Sequence, residues 1–332
     1  MDDRRSPLLG GLTVAVGAAL FGTLGPLSRA VYDHGLTPFG FVTWRAGIGA
    51  LAVAAVVVWR AGRHGVALVG WRSLDARGRS SLGLAALMGA TLNLAMFLAF
   101  SRAPIAIVLL CFYLYPAIVA GASAILGWEH MDRPRIAALT LSLGGMVAVV
   151  AGGSGVADGH GFDLLGVGLA LSAALSQAIF VLVSRSGYRT VPTDQAMLAV
   201  LGGAAAIAAA VAVGVGTGRS LTLPLGDPSL LALVAFAGIF AAGIPSLMFL
   251  AGIRWIGPVR AGILMLIEPL VGVSLAALLL NEAVGPVQVL GGLAILAGAV
   301  IIQRARPEVS AVLPPGDPET GSPPAGALPV DR

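Results

Sequence analysis

Six polar side chains stand inside otherwise apolar runs, where they could do chemistry. Glu268 lies ten residues past Pro258, within the run Val259–Leu280. An ionised acid at such depth costs about 3 kcal/mol or more, so it faces a wet cavity, finds a partner or takes up a proton. Glu268 could receive a substrate ammonium or a coupling proton; paired or protonated, it could instead fix helix packing. Arg45 is the seventh residue of the run Phe39–Trp59. Its guanidinium could grip a substrate carboxylate bidentately, pair with Glu268, or snorkel to an interface as an anchor. Asn93, Tyr113, Tyr115 and Gln177 could contact substrate, or hydrogen-bond a neighbouring helix for about 0.6–2 kcal/mol each. Met96 and Phe97 flank the face of Asn93.

Prolines punctuate the same runs. Pro116 and Pro269 each remove a helical donor and free the carbonyl four residues earlier, where a cation or amine could bind; a packing kink is the alternative. Gly25-Pro26 and Gly243-Ile244-Pro245 mark further helix breaks, at Pro26 and Pro245, that could act as hinges. Glu129 and Glu282 fall at run ends, where water is near, and read as interface or capping residues. Ala117-xxx-Gly121, Gly272-xxx-Ala276 and Ala294-xxx-Gly298 are small-residue pairs that allow close helix approach. His34, His64, His130 and His160 all fall in expected loops.

The catalytic and cofactor signatures of soluble enzymes do not occur. The sequence has no Gly-x-x-x-x-Gly-Lys loop, no His-Glu-x-x-His and no Gly-x-Ser-x-Gly. The lone Cys111 excludes an internal disulfide and a Cys-rich metal site. The residues therefore point to no catalytic group, no cofactor and no metal, and the chain is expected not to be an enzyme.

The elements that must hold these residues follow from composition. Of 332 residues, 57% are hydrophobic and 11% charged, against about 25% charged in soluble domains. A spanning helix needs about 20 apolar residues. Runs of that kind lie near Leu8–Leu27, Phe39–Trp59, Leu82–Phe100, Ile105–Leu126 and Ile136–Ala151. A second set lies near Leu164–Val183, Met197–Val215, Leu230–Leu250, Val259–Leu280 and Val287–Ile302. Lipid offers no partners to the backbone, so these runs are helices. Barrel strands of about ten alternating residues are absent. Arg4 and Arg5 before the first run resemble a signal peptide, but the many similar runs that follow make this the first span.

Arginines set the expected orientation. With the N-terminus in the cytoplasm, the inner segments hold Arg4, Arg5, Arg60, Arg63, Arg72, Arg77, Arg79, Arg133, Arg135, Arg185, Arg189, Arg254, Arg260, Arg304, Arg306 and Arg332; the outer ones hold Arg29, Arg102 and Arg219. The positive-inside rule then puts both termini of a multi-pass protein of the cytoplasmic membrane inside. The net charge of +4 has this topological origin and implies no nucleic acid. Residues 307–332, rich in Pro, Gly, Ala and Ser, read as a disordered cytoplasmic tail.

The two sets of runs can be overlaid. An offset of 153 places Pro116 on Pro269, Leu126 on Leu279, Glu129 on Glu282 and Gly145 on Gly298; an offset of 156 places Ser28-Arg29 on Ser184-Arg185 and Thr37 on Thr193. Each set holds five spans, an odd number, so tandem copies enter the membrane from opposite sides. Inverted repeats are a physical route to alternating access about a central site. The expected architecture is an all-α integral membrane protein of about ten transmembrane helices, built as two inverted five-helix repeats over residues 1–152 and 153–306.

On these residues the chain resembles the EamA-type branch of the drug/metabolite transporter superfamily. The resemblance covers about Leu8 to Arg304. It rests on Tyr115-Pro116 with Trp128-Glu129, and Glu268-Pro269 with Asn281-Glu282, each followed by a Gly-rich closing helix. Thr43-Trp44-Arg45 resembles a further family pattern, from which Ala46 departs; Phe21-Gly22 stands where the family often has Trp-Gly. The resemblance implies ten helices with spans one to four and six to nine around a central cavity, spans five and ten outside it, and export or exchange of small metabolites, amino acids among them. A secondary transporter is thus expected, with a small-molecule substrate and the lipid bilayer as partners and a proton as candidate coupling ion; monomer and homodimer both stay open. A membrane-embedded enzyme and a non-transporting structural protein are the alternatives. Reporter fusions after Gly62 and Arg304 are expected to read cytoplasmic and a fusion after Gly155 external; a cytoplasmic reading after Gly155 would break the inverted-repeat argument.

Overall fold

A computed structural model describes residues 7–65, 67–100, 102–103, 105–152, 163–280 and 284–305. Glu282 and its neighbour Asn281, the Asp158–His160 stretch, Arg4, Arg5 and the tail 307–332 lie outside the described residues. Among the described residues every regular element is helical. Nine stretches are long and apolar enough to cross a membrane, and Pro7–Gly22 is a shorter apolar helix.

Span one is α1 (Pro7–Gly22) and α2 (Leu24–Asp33), separated at Thr23. Span two is α3 (Pro38–His64). It starts where the Thr37 hydroxyl accepts from Gly40 N at 3.2 Å, and ends at Gly65, whose φ of +60° suits a residue without Cβ. Span three is α4 (Ala76–Phe100); span four is α5 (Ile105–Phe112) and α6 (Tyr115–Ile125). Span five, α7 (Arg133–Ala151), is capped by Asp132, which accepts from Arg135 N at 3.1 Å. Span six, α8 (Leu164–Ser186), is capped by Asp163, and span seven is α9 (Thr193–Gly214).

A short α10 (Leu223–Gly226) precedes span eight, which comprises α11 (Pro228–Gly238), a π-helical turn over Ile239–Gly243 and α12 (Ile244–Ile256). Asp227 caps α11 through Ser229 N and Leu230 N, at 2.9 and 3.1 Å, and meets His34 Nδ1 at 2.7 Å. The Leu230 N–H and then the His34 ring hold its carboxyl below the usual range. Span nine is α13 (Pro258–Met265) and α14 (Ile267–Leu280), and span ten is α15 (Pro286–Arg304).

Four of these spans differ from unbroken runs, and each break has a proline just after it. Pro26, Pro116, Pro245 and Pro269 all lie in the first turn of a restarted helix, where a missing N–H does least harm. Leu8–Leu27 is therefore not one helix, and Ile105–Leu126 and Val259–Leu280 are two helices each. Two further expectations are corrected. Glu129 is buried at 7% exposure rather than water-facing, because its carboxylate is folded against Arg185 at 3.6 Å. His64 is the last residue of α3, not a loop residue, and stacks edge-on against Trp59 one turn earlier.

The packing between the two sets of spans is self-symmetric. Span three lies against span six as span eight lies against span one; span two meets span eight as span seven meets span three; span four meets span six as span nine meets span one. Spans two and seven, four and nine, and five and ten pair with each other. Each of these pairings is returned when every span is exchanged with the one five later, as a two-repeat architecture requires. The pair α7 and α15 carries exposed Leu141, Val147, Leu290, Leu293 and Leu296, an apolar edge suited to lipid.

That pair closes through backbone contact. A Cβ on Gly291 would stand 2.5 Å from the Gly145 carbonyl oxygen, and one on Gly298 2.8 Å from the Ala138 carbonyl oxygen. Of the small-residue pairs, Ala294-xxx-Gly298 thus lies in a real contact, Gly272 faces the Gly22 carbonyl at 3.4 Å, and Gly121 faces open space. Gly291→Ala is expected to lower stability by about 1–3 kcal/mol, because backbone atoms cannot give way. Gly144→Ala, with nothing within 4 Å, should stay within about 0.5 kcal/mol of wild type. Thermal unfolding in detergent compares them; equal effects would mean that the α7–α15 contact is loose.

Candidate functional site in the centre of the bundle

Arg45 is the hub. It is 6% exposed on α3 and cannot snorkel, so its donors need acceptors inside the protein. Nη2 donates to Asn93 Oδ1 on α4, and Nη1 to the Ala241 carbonyl in the π-helical turn at 3.3 Å. The Ala241 carbonyl is available because the residue four later is Pro245, which has no N–H to offer it. Gly49, Gly238 and Gly243 make the approach possible: a Cβ on Gly49 would be 3.0 Å from the Gly238 carbonyl, so span two and the π-turn run almost backbone to backbone. Asn93 Nδ2 donates to Gly89 O at 2.7 Å, which turns its oxygen towards Arg45. The Phe41 ring centroid lies 6.0 Å from the guanidinium carbon.

Glu268 enters from the break in span nine. It sits between Leu266, where α13 ends, and Pro269 in the first turn of α14. Its carboxylate interacts with the Tyr113 hydroxyl as hydrogen-bond acceptor and with Arg45 through charge. Tyr115 is a further near neighbour of Glu268, and its hydroxyl interacts with Gln177 of α8. Tyr113 and Tyr115 are buried, at 2% and 1% exposure, with Phe112 packed on both at ring separations of 5.3 and 5.4 Å. Glu268 keeps more accessible surface than these neighbours. Gly22, at the break in span one, presses on the same place: a Cβ there would come 2.8 Å from the Glu268 carbonyl oxygen.

The structure thus hydrogen-bonds Arg45 to Asn93 and brings Glu268, Tyr113, Tyr115 and Gln177 together nearby, with Arg45 and Glu268 acting on each other through charge, from spans two, three, four, six and nine. Of the helix breaks, Pro116 lies against Gly262 of α13, Pro245 acts through Ala241, and Pro269 adjoins Glu268. Pro26 lies in the first turn of α2, beyond the break at Thr23. Phe97 packs edge-on to Phe41 and Tyr32 beside Arg45, while Met96 packs into the apolar core.

Three contributors escape a search for polar side chains: the Ala241 carbonyl, Gly22, and Tyr32, whose buried hydroxyl has no hydrogen-bond partner among the described residues and which interacts with Arg45 through charge. Counting four residues back from Pro245 identifies the first; no comparable signal marks the others.

No group of three or more His, Cys, Asp or Glu among the described residues could hold a metal. A carboxylate, a guanidinium, two phenols and two amides within one apolar bundle can bind a small molecule that carries both charges and hydroxyl or amine groups.

The profile of the EamA-like transporter family matches residues 8–151 and again 164–304. The chain belongs to the EamA-like transporter family. It is accordingly a multi-pass membrane protein that transports small molecules. Among 29 solved chains of similar fold, one crystal structure shares 21% sequence identity with a TM-score of 0.70, over 88% of this transporter and 94% of its own length; that likeness concerns the fold alone. No curated protein matches it in sequence.

The contacts generate a test of the hub in this EamA-like transporter. Removing one partner of a buried charge pair typically costs about 3–5 kcal/mol. Arg45→Met is expected to cost about that much stability, and Glu268→Gln less. The double variant should recover at least about 1 kcal/mol relative to the sum of the two. Strict additivity in detergent unfolding would show that the two charges do not interact.

Proposed function

We propose that this protein is a secondary transporter that exports or exchanges a small polar metabolite, such as an amino acid, by alternating access. The substrate-binding or coupling residues are Glu268, Arg45, Tyr113, Tyr115, Asn93 and Gln177. The observation that carries this reading is that Arg45 and Glu268 stand within each other's electrostatic reach in the middle of the bundle, beside helix breaks. An amino acid is a zwitterion: a carboxylate suits its ammonium and a guanidinium suits its carboxylate. Pro116 and Pro269 put interruptions at corresponding places in repeats spanning 1–152 and 153–306, and Pro26 and Pro245 add one further break to each half, where it can bend. The arginine asymmetry supports cytoplasmic termini in the cell membrane.

Glu268 serves as the site for a substrate amine or for a coupling proton, and one variant separates the two. Glu268→Gln keeps the shape and removes the charge. Reconstituted in proteoliposomes and given a panel of labelled amino acids and nucleosides, with and without a pH gradient, it is expected to insert normally and transport at least about tenfold less, as loss of a charge-assisted hydrogen bond implies. Weaker apparent affinity at every pH marks an amine site; loss of the pH dependence alone marks proton coupling. Kinetics and pH dependence both equal to wild type would sink the proposal and leave Glu268 as a packing residue.

A further inference from the structure

Two polar atoms at the hub are buried and have no hydrogen-bond partner among the described residues: the Tyr32 hydroxyl and Arg45 Nε. A buried donor left unpaired is unfavourable, and native proteins seldom keep one without a reason. Tyr32 comes from span one, one residue before the end of α2; Arg45 comes from span two, roughly 10 Å along α3 from Pro38. Both flank the same ring. The Tyr32 ring stands edge-on to Phe41 with centroids 6.0 Å apart, and the Arg45 guanidinium carbon lies 6.0 Å from the Phe41 centroid. Phe41 and Arg45 are four apart on α3 and so share a face. Tyr32 and Arg45 act on each other through charge.

Both atoms are held in place. Nη1 and Nη2 of Arg45 donate to the Ala241 carbonyl and to Asn93 Oδ1, so the guanidinium is anchored by its two outer nitrogens and the direction of Nε–H is set. Asn93 is fixed in turn by the Gly89 carbonyl at 2.7 Å. The Tyr32 ring is held edge-on by Phe41 and by Phe97, 6.5 Å away, and those two rings are edge-on to each other at 5.9 Å. Val31, Leu36, Leu230 and Val234 complete an apolar cluster about the three rings. The carboxylate that acts on Arg45, Glu268, interacts with the Tyr113 hydroxyl. Tyr32 and Arg45 are not hydrogen-bonded to each other, and one acceptor reaching both would satisfy them together.

On the reading of the central cluster as an amino-acid site, we propose that Tyr32 is a further substrate-binding residue, whose hydroxyl donates with Arg45 Nε to the substrate carboxylate. A carboxylate has two oxygens with about four acceptor positions and takes both donors at once, and bonds to a charged acceptor are about twice as strong as neutral ones. The substrate ammonium is left to Glu268. A carboxamide in the same place carries no charge and sets an N–H2 donor against one of these donors, so the pair selects zwitterions with a free carboxylate. Tyr32 belongs to α2, the part of span one beyond the break at Thr23, so a bound carboxylate ties that segment to α3.

The test uses the full chain in proteoliposomes, given each of the common amino acids in labelled form. Unlabelled free acid and unlabelled carboxamide of the same amino acid compete in parallel. For every amino acid that wild type takes up, the acid is expected to compete at least about tenfold better than the amide. Tyr32→Phe keeps the three rings and removes the hydroxyl; its unfolding midpoint in detergent is expected to equal or exceed that of wild type, because no partner within the protein is lost. Its apparent affinity for the acid is expected to fall about tenfold with inhibition by the amide unchanged. A lowered midpoint or failure to fold would show that the hydroxyl is bonded inside the protein and overturn the proposal. An acid-to-amide ratio unchanged in Tyr32→Phe, or a wild type that accepts amides as well as acids, would overturn it too, while leaving amino-acid transport standing. No uptake of any amino acid by wild type would remove the reading of the central cluster and the role of Tyr32 together.

Discussion

A guanidinium buried at the centre of a lipid-embedded bundle must find its acceptors within the protein. Much of the local architecture around Arg45 answers that demand. Side chains alone would leave part of its fork unsatisfied, since Asn93 supplies one oxygen. The second comes from the main chain, and a regular helix has no carbonyl to spare. Span eight provides one by converting a turn to π geometry before Pro245. The carbonyl can reach Arg45 only if two helices come nearly into backbone contact, which explains glycine at positions 49, 238 and 243. Proline, glycine and arginine here form one arrangement: each is destabilising alone and is compensated by the others.

The same logic extends through the repeats. Breaks occur in spans one, four, eight and nine, and spans four and nine, which correspond, are broken at the equivalent prolines 116 and 269. Their breaks bring Tyr113 and Tyr115 from one half against Glu268 from the other. Spans five and ten, by contrast, are continuous helices closed by glycine against backbone. The polar centre thus combines interrupted spans with the continuous spans two, three and six, while the apolar edge formed by spans five and ten has no break. Non-helical backbone at membrane depth is tolerated where protein or a wet cavity surrounds it.

Much of this was legible in the sequence for identifiable reasons. Apolar runs of spanning length are a strong signal, and ten were found where nine long helical stretches and one shorter apolar helix stand. The polar residues were visible because any such residue stands out against an apolar background. The breaks were legible from the prolines at 26, 116, 245 and 269, whereas hydropathy alone drew Leu8–Leu27 and Val259–Leu280 as unbroken runs. Partnership was not legible. Glu129 looked water-facing because it follows a span end, yet Arg185, 56 residues later, folds onto it. Gly22 gave no chemical signal of its own, because it contributes only closeness, and the Ala241 carbonyl is marked only indirectly, by Pro245 four residues later.

Buried Glu129 and half-buried Glu268 show how environment divides one residue type between two behaviours. Glu129 is held at 3.6 Å from Arg185, in a wall of arginines, and Gly257 presses against it. Its charge is compensated where it stands. Glu268 has the same functional group but no ion-pair contact among the described residues; Arg45 acts on it through charge while Nη1 and Nη2 of the guanidinium donate to Ala241 and Asn93 and its Nε has no hydrogen-bond partner among the described residues. Its described hydrogen-bonding partner is a neutral phenol, Tyr113. A carboxylate attracted by a cation that does not fully engage it, with accessible surface and a broken helix beside it, retains the capacity to accept a further donor. That incomplete engagement distinguishes a group able to exchange partners from one that locks two helices together.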